Sequence, residues 1–110
     1  MERAQSYMRV MDKLFALPCE AIATARCLRL TYDGHDRTVE VHVAGTARDG
    51  EAWMRVWQVR GGSSSSPPFG WRTFRLNQVT GARLTGERSR APRAGYTPDD
   101  PLIVHVVCQA

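Results

Sequence analysis

With 110 residues, 43% of them apolar and 24% charged, the chain has room for one hydrophobic core and falls outside the fibrous and low-complexity classes. Its formal net charge of +4 rests on 15 basic residues, and Lys13 is the only lysine. Guanidinium groups therefore dominate the basic surface and suit carboxylates and phosphates, although a coding bias toward arginine explains the excess equally well. No apolar run approaches the ~20 residues of a membrane-crossing helix. No uninterrupted apolar segment follows Met1-Glu2-Arg3-Ala4-Gln5, so the sequence predicts a cytoplasmic protein with no membrane partner.

Taken in chain order, Tyr7, Met11 and Leu14 recur at helical spacing and predict an amphipathic helix over 4–16. Pro18 followed by Glu20 marks a better helix start, because proline is tolerated in the first turn and an acid favours the positive end. A second short helix over 18–25 is expected, ending near Arg26. The pattern then becomes β. Residues 27–32 alternate and end at Asp33-Gly34. Residues 38–46 alternate again, with Val39, Val41 and Val43 on one face and Glu40, His42 and Ala44 on the other. Arg48-Asp49-Gly50 is the next turn, making 39–59 an antiparallel hairpin. Short strands over 72–76 and 79–85 follow, then an irregular arm over 87–100 and a last strand over 102–107. Together these predict a mainly β domain: a small, strongly bent barrel of five or six strands with a short N-terminal helix. Residues 1–17 are the N-terminal segment and 18–110 the domain.

Cys19, Cys27 and Cys108 are odd in number and widely spaced, with no Cys-x-x-Cys pair. Cys27 and Cys108 sit in apolar runs and read as small buried hydrophobes. A disulfide framework is not expected. No His/Cys ligand set for a metal, no Gly-x-Ser-x-Gly elbow and no P-loop is present, so neither a cofactor nor an enzymatic activity is expected.

The chemistry concentrates between Ala52 and Val79. In a strand over 53–59, Trp53, Arg55, Trp57 and Val59 share one face, and Met54, Val56 and Gln58 the other. Arginine is almost never fully buried without a partner. An aromatic–arginine–aromatic stripe suits a surface on which flat anionic ligands stack and are neutralised. The competing structural reading makes Trp53 and Trp57 a half-buried surface under the N-terminal helix. It pairs Arg55 and Arg75 with Glu40, Glu51 or Glu87. His35 reads as solvated, His105 as locally satisfied, and the Ser63–Ser66 run as a flexible loop.

Several runs from about Pro18 to about Gln78 together resemble the WYL domain, a bacterial module named after a Trp-Tyr-Leu motif. Ala21-Ile22 followed by Leu28-Arg29-Leu30-Thr31-Tyr32 resembles its opening helix and first strand. Val39-Glu40-Val41-His42 resembles its second strand. Arg72-Thr73-Phe74-Arg75-Leu76-Asn77-Gln78-Val79 is similar to its Arg-x-Phe-Arg-Leu-Asp-Arg-Ile pattern. Phe69-Gly70-Trp71-Arg72 looks like the short stand-alone members. At the naming motif, Trp53-Met54-Arg55 keeps only the tryptophan, and Asn77 and Gln78 replace an acidic and a basic residue. About 17 residues precede the module, too few for the helix-turn-helix of the regulators in that family.

The resemblance implies an Sm-like, Src-homology-3-like barrel that binds a nucleotide or single-stranded nucleic acid in a regulatory role. Carried over by position, its ligand-binding candidates are Trp53, Arg55, Arg72 and Arg75, with Tyr32 and His42 as further members; Trp57 joins them from the stripe. By alternation Arg75 shares a face with Trp71. Arg72 falls with Phe74 and Leu76 and must snorkel or pair with an acid such as Glu40. The alternative function is a protein-interaction or oligomerisation module, with a homodimer expected through the last strand if it forms a sheet edge.

Overall fold

The computed structural model describes residues 2–64 and 67–110, with side chains from residue 9 onward. One helix, α1 (Glu2–Thr24), precedes six strands: β1 (Arg26–Tyr32), β2 (His35–Thr46), β3 (Ala52–Gly61), β4 (Gly70–Arg75), β5 (Thr80–Arg88) and β6 (His105–Gln109). A short 3-10 turn, Leu76–Gln78, joins β4 to β5. No helix among the described residues is long and apolar enough to cross a membrane.

The two helices expected from the sequence are one. Pro18 lies inside α1, where it removes a single helical hydrogen bond. The apolar stripe continues across it: Phe15 and Ala21 are buried, and Met11, Leu14, Leu17, Cys19 and Ile22 pack against the same cluster. Burial along one side of the sheet outweighs that local loss. The helix ends at Thr24, and Ala25, with a φ of +53°, turns the chain into β1. Tyr7, the first residue of the predicted stripe, lies outside the described side chains.

All strand pairs are antiparallel, in the order β4-β3-β2-β1-β5, with β6 also paired to β2. The mainly β prediction holds, and the 39–59 hairpin is present as β2 and β3. The pairing does not close: β4 and β5 form the two ends of the ladder. The first half of β2 lies beside β1, and its last residues, Val43–Thr46, lie beside β6. A two-residue turn links β1 to β2, with Asp33 at φ +52° and Gly34 at φ +74°. Both values are positive, as the twist of a tight hairpin requires.

The core lies between α1 and one side of the sheet. Leu28, Leu30, Val39, Val41, Met54, Val56, Phe74 and Leu76 come from the sheet and the 3-10 turn. The strand β2 is buried on both sides, from Arg37 to Gly45, so something else must cover its second face. That cover is the segment 89–104, which has no regular structure. It was expected to begin at 87, but β5 extends to Arg88. Likewise the last strand starts at His105, three residues later than expected.

The simple alternation read for β2 fails at one point. Val41 pairs with Val56 and Val43 with Arg55, so His42 is an extra residue in a bulge. A bulge moves the following side chains to opposite faces. Ala44, opposite Met54, joins the core cluster, while Val43 faces the arginine side.

The cysteine reading is corrected. Cys19 of α1 and Cys108 of β6 form a disulfide with Cα atoms 5.6 Å apart. Their sequence separation of 89 hid a contact that the helix-on-sheet packing creates. Cys27 alone is free and buried, as expected, and burial pushes its thiol up to about 11.

Candidate functional site

The β3–β4 ladder builds the predicted stripe. Trp53 lies opposite Arg75, Arg55 opposite Thr73, and Trp57 opposite Trp71. All are partly exposed, while Met54, Val56 and Gln58 between them are buried. The alternation read for 53–59 is therefore the observed one. On this face each indole meets a guanidinium. Arg75 Cζ lies 4.8 Å from the Trp53 ring centroid, Arg93 Cζ 4.9 Å from Trp57, and Arg55 Cζ 5.7 Å from Trp71. Such contacts are attractive because the ring face is electron-rich. Trp57 and Trp71 meet edge to face at 5.3 Å.

The bulge in β2 brings His42 to the same side. Its ring is fully buried and sits edge-on to Trp71 at 4.7 Å. The Arg93 backbone N–H donates to His42 Nε2 at 3.0 Å, so Nδ1 carries the proton and donates to the Glu40 carbonyl, also at 3.0 Å. Burial, with Arg93 and Arg55 nearby, lowers the pKa of the imidazole and favours its neutral form. Beside it, the buried Glu40 carboxylate accepts Arg90 N–H at 2.7 Å and is held by the Arg93 guanidinium.

The expected ion-pair partners are met in part. Arg75 pairs with Glu51 at 3.4 Å. Arg55 instead reaches Asp100 at 3.2 Å and Thr73 Oγ1 at 3.4 Å. Glu87 binds Arg60, and Glu40 binds Arg93. The arm, rather than the N-terminal helix, covers the stripe at its Trp57 end. Tyr96 packs against His42 at 5.1 Å and Trp71 at 6.1 Å.

Two of the seven candidates lie elsewhere. Tyr32 stacks on Phe74 at 4.2 Å; its hydroxyl accepts the Arg75 N–H at 3.2 Å and donates to Gln78 Oε1. Arg72 points to the same side. It finds no acid among the described residues: one terminal nitrogen donates to the Trp71 carbonyl at 3.0 Å and the other to the Pro67 carbonyl. Between them the buried Arg37 lies over both Tyr32 and Phe74 and donates to the Tyr32 carbonyl and Gln58 Oε1. Gln58 also binds the carbonyls of Gly62 and Pro68, tying both ends of the serine-rich loop. Ser65 and Ser66 lie outside the described residues. His105 is exposed.

The face thus unites Trp53, Arg55, Trp57, Arg75 and His42 and separates Tyr32 and Arg72 from them. Four participants were missed as ligand-face members: Glu40, Arg93, Tyr96 and Asp100. The one available signal was a lone aromatic, Tyr96, in a stretch otherwise made of proline, glycine, charged and small residues. A groove of about 510 Å³ continues the face beside Trp57, lined by Glu40, Val59, Glu87, Arg88, Arg90 and Arg93. A second groove of about 440 Å³, bordered by the Arg29–Asp36 and Arg60–Glu87 pairs, shares Glu87 with the first, and neither groove is lined by any of the seven candidates. No protein-family model matches the chain, and neither a curated protein nor a solved structure matches it.

Proposed function

We propose that this chain is a non-enzymatic binding module of the WYL type. It takes a nucleotide or a short single-stranded nucleic acid on the β3–β4 face and serves regulation. The observation that carries this reading is the set of three guanidinium–indole contacts, Arg75–Trp53, Arg93–Trp57 and Arg55–Trp71, on one partly exposed surface. Stacking on an aromatic contributes about 1–3 kcal/mol per base, and adjacent guanidiniums neutralise phosphate in forked geometry. Trp53, Arg55, Trp57 and Arg75 are the contacting residues, with His42 as their buried support. Tyr32 and Arg72 brace β4 from behind. The Sm-like, Src-homology-3-like barrel and a cytoplasmic location belong to the same proposal. Alkylation of thiols at the moment of lysis tests the location, since structural disulfides persist in oxidising compartments.

Fluorescence anisotropy with a labelled single strand of about ten nucleotides, at low and near-physiological salt, tests the ligand. Binding that weakens steeply with salt and is lost in Arg55→Ala and Arg75→Ala, with folding intact, supports it. Salt-insensitive binding, or none in either buffer, refutes it.

A second reading, an interaction module, is favoured by β6. Val106 and Val107 are 48% and 53% exposed, and among the described residues the strand pairs with β2 alone. An uncharged edge is open to another strand, including that of a second copy in a homodimer. A monomer by light scattering at high micromolar concentration would count against it.

A further inference from the structure

The segment 89–104 occupies one end of the proposed ligand face, and the chemistry of its contacts resembles that of a ligand. Its aromatic ring, Tyr96, lies against Trp71 and His42. Four residues on, the carboxylate of Asp100 binds Arg55 at 3.2 Å; that side chain is only 5% exposed, against 37% for Arg55. A flat ring and an anion are thus presented together to the tryptophan–arginine stripe. We propose that this arm is a built-in competitor: its Tyr96 ring and Asp100 carboxylate hold the places of a base and a phosphate, and ligand binding displaces them. This inference rests on the β3–β4 face being the ligand site.

The way the arm is attached permits such a displacement. Main-chain hydrogen bonds tie it to the rest of the fold at its two ends, from Ser89 N–H to the Ala25 carbonyl and from Val104 N–H to the Thr46 carbonyl. Between them its described backbone contacts with the sheet run through side chains, Arg90 to Glu40 and Arg93 to His42. It forms no strand ladder. The Tyr96 hydroxyl is buried and meets no hydrogen-bonding group among the described residues. Burying a hydroxyl in that state is unfavourable, so release of the arm recovers the solvation of that group. By contrast, the Glu40–Arg93 pair and the His42 contact hold the arm down near its start. The segment after Arg93, carrying Tyr96 and Asp100, is the portion that lifts.

Asp100→Asn is the discriminating variant. It removes the negative charge that faces Arg55 but keeps an oxygen for the Leu102 N–H, which Asp100 Oδ1 now accepts at 2.8 Å. A fluorescein-labelled oligodeoxythymidylate of about ten nucleotides is titrated into wild type, Asp100→Asn, Tyr96→Ala and Asp100→Asn/Arg55→Ala. An arm seated nine-tenths of the time reduces apparent affinity about tenfold, so the arm variants bind about tenfold tighter than wild type. The added Arg55→Ala change removes that binding. In parallel, amide exchange of wild type with saturating probe shows loss of protection at residues 94–102 and none in β3, while the anchoring Val104 N–H stays protected. Equal affinity of wild type and arm variants, with binding still dependent on Arg55, overturns the competitor and leaves the ligand face standing. Failure of every protein, including well-folded Asp100→Asn, to bind overturns the ligand face and the competitor with it. If Tyr96→Ala does not fold, the exchange experiment and Asp100→Asn decide by themselves.

Discussion

Removing the Cys19–Cys108 bond should destabilise the fold more than any single surface change. The bond closes a loop with a sequence separation of 89, and its effect lies mainly in the unfolded chain, whose freedom it restricts. The loop-closure relation for that length gives about 4.6 kcal/mol at 25 °C. A chain of 110 residues unfolds with an entropy of about 0.23 kcal/mol/K, so the loss lowers Tm by about 20 °C. The native state is also affected, because the bond ties α1 to β6, whose only strand partner among the described residues is β2. The assay is differential scanning calorimetry of untreated protein, of protein reduced with a phosphine, and of Cys19→Ala/Cys108→Ala. Thiol titration under denaturing conditions accompanies it. One reactive thiol, Cys27, is expected before reduction and three after. Three thiols before reduction would refute the cross-link itself. One thiol with a Tm change under about 5 °C would refute the entropic reasoning and point to an unfolded ensemble already compact around these residues.

Four further outcomes are expected. Arg93→Ala strands the Glu40 carboxylate, whose side chain is 2% exposed; breaking such a pair costs about 3–5 kcal/mol in urea unfolding, and a cost near zero would mean that Arg90 N–H suffices. Arg29→Ala, which breaks the exposed pair with Asp36, should leave the urea midpoint where it is. Gly45→Ala places a methyl group 2.7 Å from Ile103 Cγ2 and closer still to the His105 carbonyl oxygen; overpacking of this kind should cost upwards of about 2 kcal/mol and detach β6 first, as read by amide exchange at 105–109. For His42, whose folded pKa is lowered by burial, the stabilising contribution is complete above its unfolded pKa of about 6.5. It is lost as pH falls through that value toward the folded one. The stability of wild type should therefore drop faster than that of His42→Gln between pH 6.5 and lower pH, by at most about 1.4 kcal/mol per pH unit. Parallel curves would show that His42 takes up no proton on unfolding.

The sequence by itself determined what short-range periodicity can determine. A period of two along 53–59 placed Trp53, Arg55 and Trp57 on one face and Met54, Val56 and Gln58 in the interior, because successive strand residues point in opposite directions whatever the partner strand is. Asp33-Gly34 located a hairpin because its backbone conformation is a local property. Tertiary structure decided everything that depended on a distant neighbour. Pro18 could remain inside one helix because the sheet rewards the apolar residues on both sides of it. The bulge at His42 exists through pairing with β3 and reversed the faces of Val43 and Ala44. Cys19 met Cys108 only once α1 lay across the sheet and β6 returned beside β2. Above all, the irregular arm has no period to read, yet its Arg93, Tyr96 and Asp100 are what the tryptophan–arginine stripe touches. Chain neighbours set which way a side chain points, and packing between segments far apart in sequence sets what it meets.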